Sequence, residues 1–394
     1  MKNLGWKIIS IILLPIQFLV FKIITSNEEW VEYYYSRGFF KIVSHFLRIV
    51  TSWTSISIGL ILVYILSAFL VYLIIKTIFR IRKKRTTLWQ IAINFLAYLS
   101  PVYLFFMLTW GLAYHKKPLE RILNLNTKNI RNQEVIALCN ELIDSTNVAR
   151  ARISESKLRG LTFEKIFELA PVGYENLEVG YPFLNYKTPS IKKASGSNLL
   201  AYMSTSGVYM FPSGEANVNT NNMIYDAPYV TTHEMAHQLG FASEEEANYL
   251  AYLSCKNNPD PVFQYSAYYG TVFRALGKVW EIDSTYSKSL FDKLSPAVKA
   301  DREKERQVWK KFRNPIQVYV VSPFYDLFLK YLLKTTAQMT KIRRKEPTIP
   351  PEITIIMGNF IYTNKNAHRK GSIQARRAIS FFRSAILLKS IQPI

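Results

Sequence analysis

His233 and His237 stand four residues apart in His233-Glu234-Met235-Ala236-His237. On a helix, residues four apart share a face, so both imidazoles can reach one Zn²⁺. Glu234 sits one step round, where it can take a proton from a water that the metal activates. Such a centre needs a third protein ligand, and Glu244-Glu245-Glu246 arrives a few residues later. The chain has five His. His45, His115 and His368 lack ligand spacing and read as structural or interfacial.

The elements that must position these groups can be read around them. Asp226 suits an N-cap and Pro228 an early helical position. Gly240 suits a left-handed C-cap. Ser243 then opens a second helix, with Glu246 three residues on in a capping-box pattern. The turn between the helices is short, so Glu244 arrives near the imidazoles. Glu244-x-x-Ala247-Asn248 matches the E-x-x-A-[D/N] signature of gluzincin peptidases. That likeness implies Glu244 as third zinc ligand and Asn248 as its supporting residue, with Glu245 as the alternative ligand. The spacing from His233 to Gly240 also matches the metzincin motif, but Ser243 stands where a third His belongs. Only the turn geometry carries over from that motif.

Upstream, 199–219 alternates with Gly207, Pro212 and Gly214 as punctuation and reads as short strands or a hairpin. Ser206–Asn219 is placed either to bind extended peptide along a sheet edge or to form a core hairpin. Helical patterns cover 130–154, 161–169 (stopped by Pro171 and Gly173), 261–280, 297–312 and 316–333. Cys139 and Cys255 lack zinc-ribbon spacing. They read as two buried thiols, with a disulfide as the alternative.

The net charge of +22 is unevenly spread. Residues 1–115 hold 12 Lys/Arg against 3 Asp/Glu, residues 116–329 hold 25 against 23, and residues 330–394 hold 13 against 2. The part bearing the His pair is nearly neutral, so the charge gives no case for nucleic acid as a partner. Three stretches approach or exceed the ~20 apolar residues a span needs. They are 8–24, 56–79 and 88–114, the last with a kink expected at Pro101. Five cations at Arg80, Arg82, Lys83, Lys84 and Arg85 place the intervening loop in the cytoplasm by the positive-inside rule. Residues 26–55 then form an outside loop, and everything after the third span is outside.

The blocks 210–219 and 233–255 resemble an uncharacterised bacterial three-span membrane family, a domain of unknown function numbered 3810 and zincin-like. The resemblance covers roughly residues 1–330. It implies a membrane-anchored zinc peptidase and names no substrate. Glu215, Asn217 and Asn219 belong to its motif block, either lining a substrate cleft or forming a turn. The tail departs from the family, with basic runs broken by Pro347, Pro350 and Pro351.

The expected architecture is a multi-pass α-helical membrane anchor (1–115) followed by a mainly α, zincin-like α+β domain (116–333). That domain has a small sheet and an HExxH active-site helix. Residues 334–394 form a basic tail whose composition suits a disordered arm. The expected function is hydrolysis of peptide bonds outside the cytoplasm by a cell-membrane protein. Zn²⁺ is held by His233, His237 and Glu244, and Glu234 is the base. The partners are lipid and a peptide or protein substrate. The alternatives are a catalytically silent zinc-binding scaffold, or a zinc amidase acting on cell-wall peptides.

Overall fold

The computed structural model describes residues 5–125 and 130–312. The helix expected at 316–333 and the tail from 334 lie outside them. Three helices are long and apolar enough to cross a membrane: α1 (Gly5–Ile24), α3 (Ile58–Arg82) and α4 (Leu88–Thr109). Thr87 and Gln90 exchange side-chain and backbone bonds in a capping box that starts α4. Pro15 and Pro101 lie inside α1 and α4. The third helix stops at Thr109 rather than Tyr114, and a 3₁₀ turn spans Gly111–His115. α1 packs along α4, and α3 makes no comparable contact with either.

The segment expected as the outside connection, 26–55, is largely helical. Glu28–Trp30 leads into a π-helical stretch, Val31–Phe40, which continues as α2 (Lys41–Ser52). In the π stretch the buried positions are Val31, Glu32, Tyr35, Ser36 and Phe40. That repeat of four to five residues matches i→i+5 bonding, which keeps one face on the neighbouring domain.

The polar domain is built on helices. They include α5 (Asn132–Ala151), α6 (Phe163–Glu178), α7 (Ala227–Gln238), α8 (Glu244–Lys256), α9 (Pro261–Ile282), α10 (Ser284–Asp292) and α11 (Pro296–Lys310). Tyr174, Phe241, Phe263, Tyr265 and Tyr269 fill the core. α6 runs through Pro171 and Gly173, where the sequence suggested a stop. Gly173 is there for packing: a Cβ would lie 2.2 Å from the Ser254 carbonyl oxygen on α8. Cys139 and Cys255 are free and buried.

The sheet has three strands in the order β1-β3-β2. β1 (Ile191–Lys193) runs parallel to β3 (Glu215–Val218), and β2 (Gly207–Met210) runs antiparallel to it. β1 was not expected, and 197–202 is helical where strand was expected.

Contacts cross the expected boundary at 115/116. The Ser44 hydroxyl donates to the Gln238 carbonyl at 2.7 Å. Thr51 and Ser190 hydroxyls meet at 2.8 Å, and Lys192 Nζ donates to the Thr51 carbonyl at 2.9 Å. The Tyr64 hydroxyl on α3 donates to the Ser195 carbonyl at 2.7 Å. Glu215 accepts the backbone N–H groups of Ile58 and Gly59, at 3.0 and 2.5 Å. A strand residue of the domain thereby caps the N-terminus of an apolar helix.

Candidate metal centre

α7 begins after Asp226, with Pro228 in its first turn, and Gly240 follows its end at φ +85°. Eleven of its twelve residues are buried, so it runs through the centre of the domain. Gln238, next to His237, fixes the helix to the sheet. Its Nε2 donates to the carbonyls of Ser190 and Gly214, at 2.9 and 2.7 Å.

The two imidazoles converge. His233 Nε2 and His237 Nε2 lie 3.1 Å apart. Glu244 Oε2 is 3.1 Å from His233 Nε2, and Glu244 Oε1 is 3.6 Å from His237 Nε2. These separations are close to the edge of a tetrahedron of nitrogen and oxygen ligands about a zinc-sized ion, about 3.3 Å for bonds of about 2.0–2.1 Å. His237 Nδ1 lies 2.6 Å from the Phe241 carbonyl. A carbonyl can only accept, so Nδ1 carries the proton and Nε2 offers its lone pair to the centre. A His₂Glu set suits a divalent cation.

Glu234 is 4% exposed, and its Oε2 is buried without a hydrogen-bond partner. The Tyr209 backbone N–H lies near its carboxylate and favours the charged form. Burial pushes its carboxyl up to about 8 against the opposing charge of His233. Burial also pushes His237 down to about 4, helped by the charge of His233. Burial would raise Glu244, but the His233 hydrogen bond and both imidazole charges hold it at about 2.

The other expected residues fall as follows. Glu245 accepts from the Ser243 hydroxyl at 2.7 Å. Ser243 is the N-cap of α8 without a side-chain capping bond, so the expected capping box is not formed. Glu246 instead accepts the Leu119 backbone N–H at 2.6 Å. Asn248 is buried and bonds the Tyr229 hydroxyl through its carbonyl at 3.0 Å and its Oδ1 at 3.2 Å. It thus ties α8 to α7 one turn from Glu244 and from His233. Glu215, Asn217 and Asn219 are fully buried in and just after β3. Glu215 holds Ile58 and Gly59, Asn217 donates to the Glu215 carbonyl, and Asn219 donates to the Thr205 carbonyl.

Several site residues had no local sequence signal. Trp110 stands edge-on to His237 with ring centroids 5.7 Å apart. Tyr209 lies nearly parallel to His237 at 6.4 Å. Arg274 sits over the Tyr229 ring at 4.9 Å and contributes to the field at His233 and Glu244. Gly207 on β2 lets the strand approach α7: a Cβ there would lie 2.5 Å from Glu234 Oε1. β2 is the sheet edge beside this helix. Asn219 N–H donates to the Ser206 carbonyl. Antiparallel alternation then turns the backbone groups of Gly207 and Tyr209 away from β3, toward α7.

A family model described as "Protein of unknown function (DUF3810)" matches residues 35–335. No curated protein and no solved structure matches the chain.

Proposed function

The chain belongs to the DUF3810 family, and from that premise we propose that it is a membrane-anchored, zinc-dependent peptidase with a zincin-like domain. One observation carries the reading. His233, His237 and Glu244 converge on one point, beside a buried Glu234 oxygen that no protein group satisfies. A structural metal site has no need of that carboxylate, which argues against a silent scaffold.

When bound, Zn²⁺ lowers the pKa of a water toward ~7 and polarises the scissile carbonyl. Glu234 accepts the proton of the attacking water at its unpartnered Oε2 and passes it to the leaving amine. The Phe241 carbonyl keeps His237 in the tautomer that ligates. Trp110 and Tyr209 pack against the His237 ring and shield it from water. Gly207, at the sheet edge, gives an extended peptide backbone a partner beside Glu234. The reading also places the domain outside the cytoplasm. The basic loop and the His pair lie at opposite ends of α4, since α4 starts after Arg85 and ends one residue before Trp110.

The test uses the full chain in lipid nanodiscs, with metal content by mass spectrometry and digests of a peptide library and of cell-wall peptides. The wild type should carry about one zinc and cleave. Glu234→Gln should keep zinc and lose cleavage by ~100-fold or more. His233→Ala, His237→Ala and Glu244→Ala should each weaken zinc by more than ~100-fold, beyond the loss typical of outer-shell partners. Glu245→Ala, whose carboxylate is engaged by Ser243, should keep it. Full activity in Glu234→Gln would remove the mechanism. Cleavage confined to cell-wall peptides would move the assignment to an amidase.

A further inference from the structure

In the segment joining the first two apolar helices, α2 has its polarity turned inside out. On α2 the residues facing the domain are Ser44, Arg48 and Thr51, one face of a helix, all buried. Ser44 and Thr51 bond Gln238 and Ser190, and Arg48 lies over the Tyr186 ring at 4.8 Å. The opposite face shows Ile42 at 71% exposure, Phe46 at 61%, Ile49 at 49% and Trp53 at 79%. The π-helical stretch buries Glu32 and Ser36 beside Val31, Tyr35 and Phe40, while the apolar Tyr33, Tyr34 and Phe39 point out. A water-facing amphipathic helix has the reverse arrangement. No described element covers the outward stripe, and a contiguous apolar patch of this kind marks an interaction surface.

Its neighbours in the chain say what covers it. The segment opens at Glu28, just after α1 ends at Ile24, and closes at Ser52, just before α3 begins at Ile58. Both neighbours are apolar enough to span, and both present exposed apolar side chains, such as Ile23 and Ile61, in the turns nearest the segment along the chain. The stripe therefore continues the lipid-facing surface of two candidate spans, with both of its ends held at one membrane face. Lys41 is exposed on it, and its stem is long enough to carry the charge to lipid phosphates, while Arg37 pairs with Glu32 at 2.8 Å.

We propose that residues 28–53 form an in-plane membrane element. It lies along the lipid–water boundary on the side of the metal centre. Its outward aromatic and aliphatic side chains sit among the acyl chains of that leaflet, and its buried face carries the domain. The element also touches the end of the metal-binding helix. A Cβ at Gly240 would meet the Phe40 ring at 2.9 Å, and Ser44 bonds Gln238, the residue after His237. The candidate centre is thereby held within about one helical turn of a lipid-contacting segment.

The test places nitroxide labels on the full chain in nanodiscs, at Phe46→Cys, Ile49→Cys and Trp53→Cys. Val179→Cys on the domain is the water control and Leu70→Cys within α3 the lipid control. The native Cys139 and Cys255 are buried. Collision with oxygen, which partitions into lipid, is compared with collision with a water-soluble chromium chelate. The three labels should show an oxygen-to-chromium ratio several-fold above position 179 and below position 70. Chromium access equal to position 179 overturns the proposal, because the stripe then faces water. Low access to both reagents also overturns it, because a protein surface or a second copy then covers the stripe. A measurement without cysteines stands beside it: lipids brominated on their acyl chains should quench wild-type fluorescence more than that of Trp53→Phe. Equal quenching counts against the proposal.

Discussion

His237 shows how much of the site was legible at the scale of single residues. Its pairing with His233 is visible as a four-residue spacing, and Glu244 as a carboxylate just past a short turn. The Phe241 carbonyl that fixes its tautomer lies four residues on and left no side-chain trace. Trp110, Tyr209 and Arg274 reach the centre from far along the chain, where no local pattern points to them. Glu215 stood out within a motif block, but its carboxylate serves a helix end 157 residues earlier. A half-buried acid near the start of α7 gives a prediction of its own. Burial and the charge of Glu305 raise Asp226 to about 7, against the pull of Arg274 and Arg302. A carboxyl raised in the fold adds stability below its unfolded pKa of ~3.9, and loses that contribution as pH rises through ~7. Asp226→Asn should therefore match the wild type near pH 4 and melt several degrees higher at pH 8, a gain of about 1–3 kcal/mol. Thermal unfolding of both proteins across that range checks it; a variant less stable at pH 8 would reverse the sign.

Among the elements, those with strong punctuation were legible. α7 and its left-handed Gly240 follow from Pro228, the apolar spacing and the glycine. The spans follow from uninterrupted apolar runs. α6 was cut short because Pro171 and Gly173 read as a stop, whereas tertiary packing against α8 carries the helix past both. β1 is three residues long and exists only through its pairing with β3, which no local alternation reveals. The helical nature of 28–52 was hidden because apolar side chains point outward along it, and on α2 the buried face is polar. β2 carries the prediction at this scale. An alanine at Gly207 would put its Cβ 2.5 Å from Glu234 Oε1 and 2.8 Å from Val230 Cγ1, so the carboxylate must shift. Gly207→Ala should retain metal and lose ~10–100-fold in kcat, the scale of a displacement near 1 Å. Parallel measurements of zinc content and turnover check this. Loss of zinc would instead mean that the whole of α7 moves.

At the scale of the whole molecule, the change in composition near residue 116 suggested an anchor followed by a separable domain. The family match runs from residue 35, across that point. Ser44, Thr51, Ile58, Gly59 and Tyr64 all bond domain residues from the anchor side. Their removal leaves Gln238, Ser190, Lys192 and Glu215 without those partners, and each buried polar group so orphaned costs about 1–3 kcal/mol. A chain beginning at Lys116 should therefore aggregate or lack a cooperative melt, while the full chain in lipid unfolds cooperatively. Size-exclusion chromatography and circular dichroism on both decide it, and a monodisperse, cooperatively melting fragment would restore the boundary at 116.

The Glu215 cap also sets an order in time. Ile58 and Gly59 are synthesised more than 150 residues before the carboxylate that receives their N–H groups. At 5–20 residues per second, the second apolar helix waits on the order of 10 s for that carboxylate. During that interval those N–H groups have no partner from the domain, and hydrocarbon offers none. The helix end must stay hydrated at the membrane surface until β3 arrives. If this helix inserts as it is made, insertion and maturation are separate events, with the strand closing the second after the first.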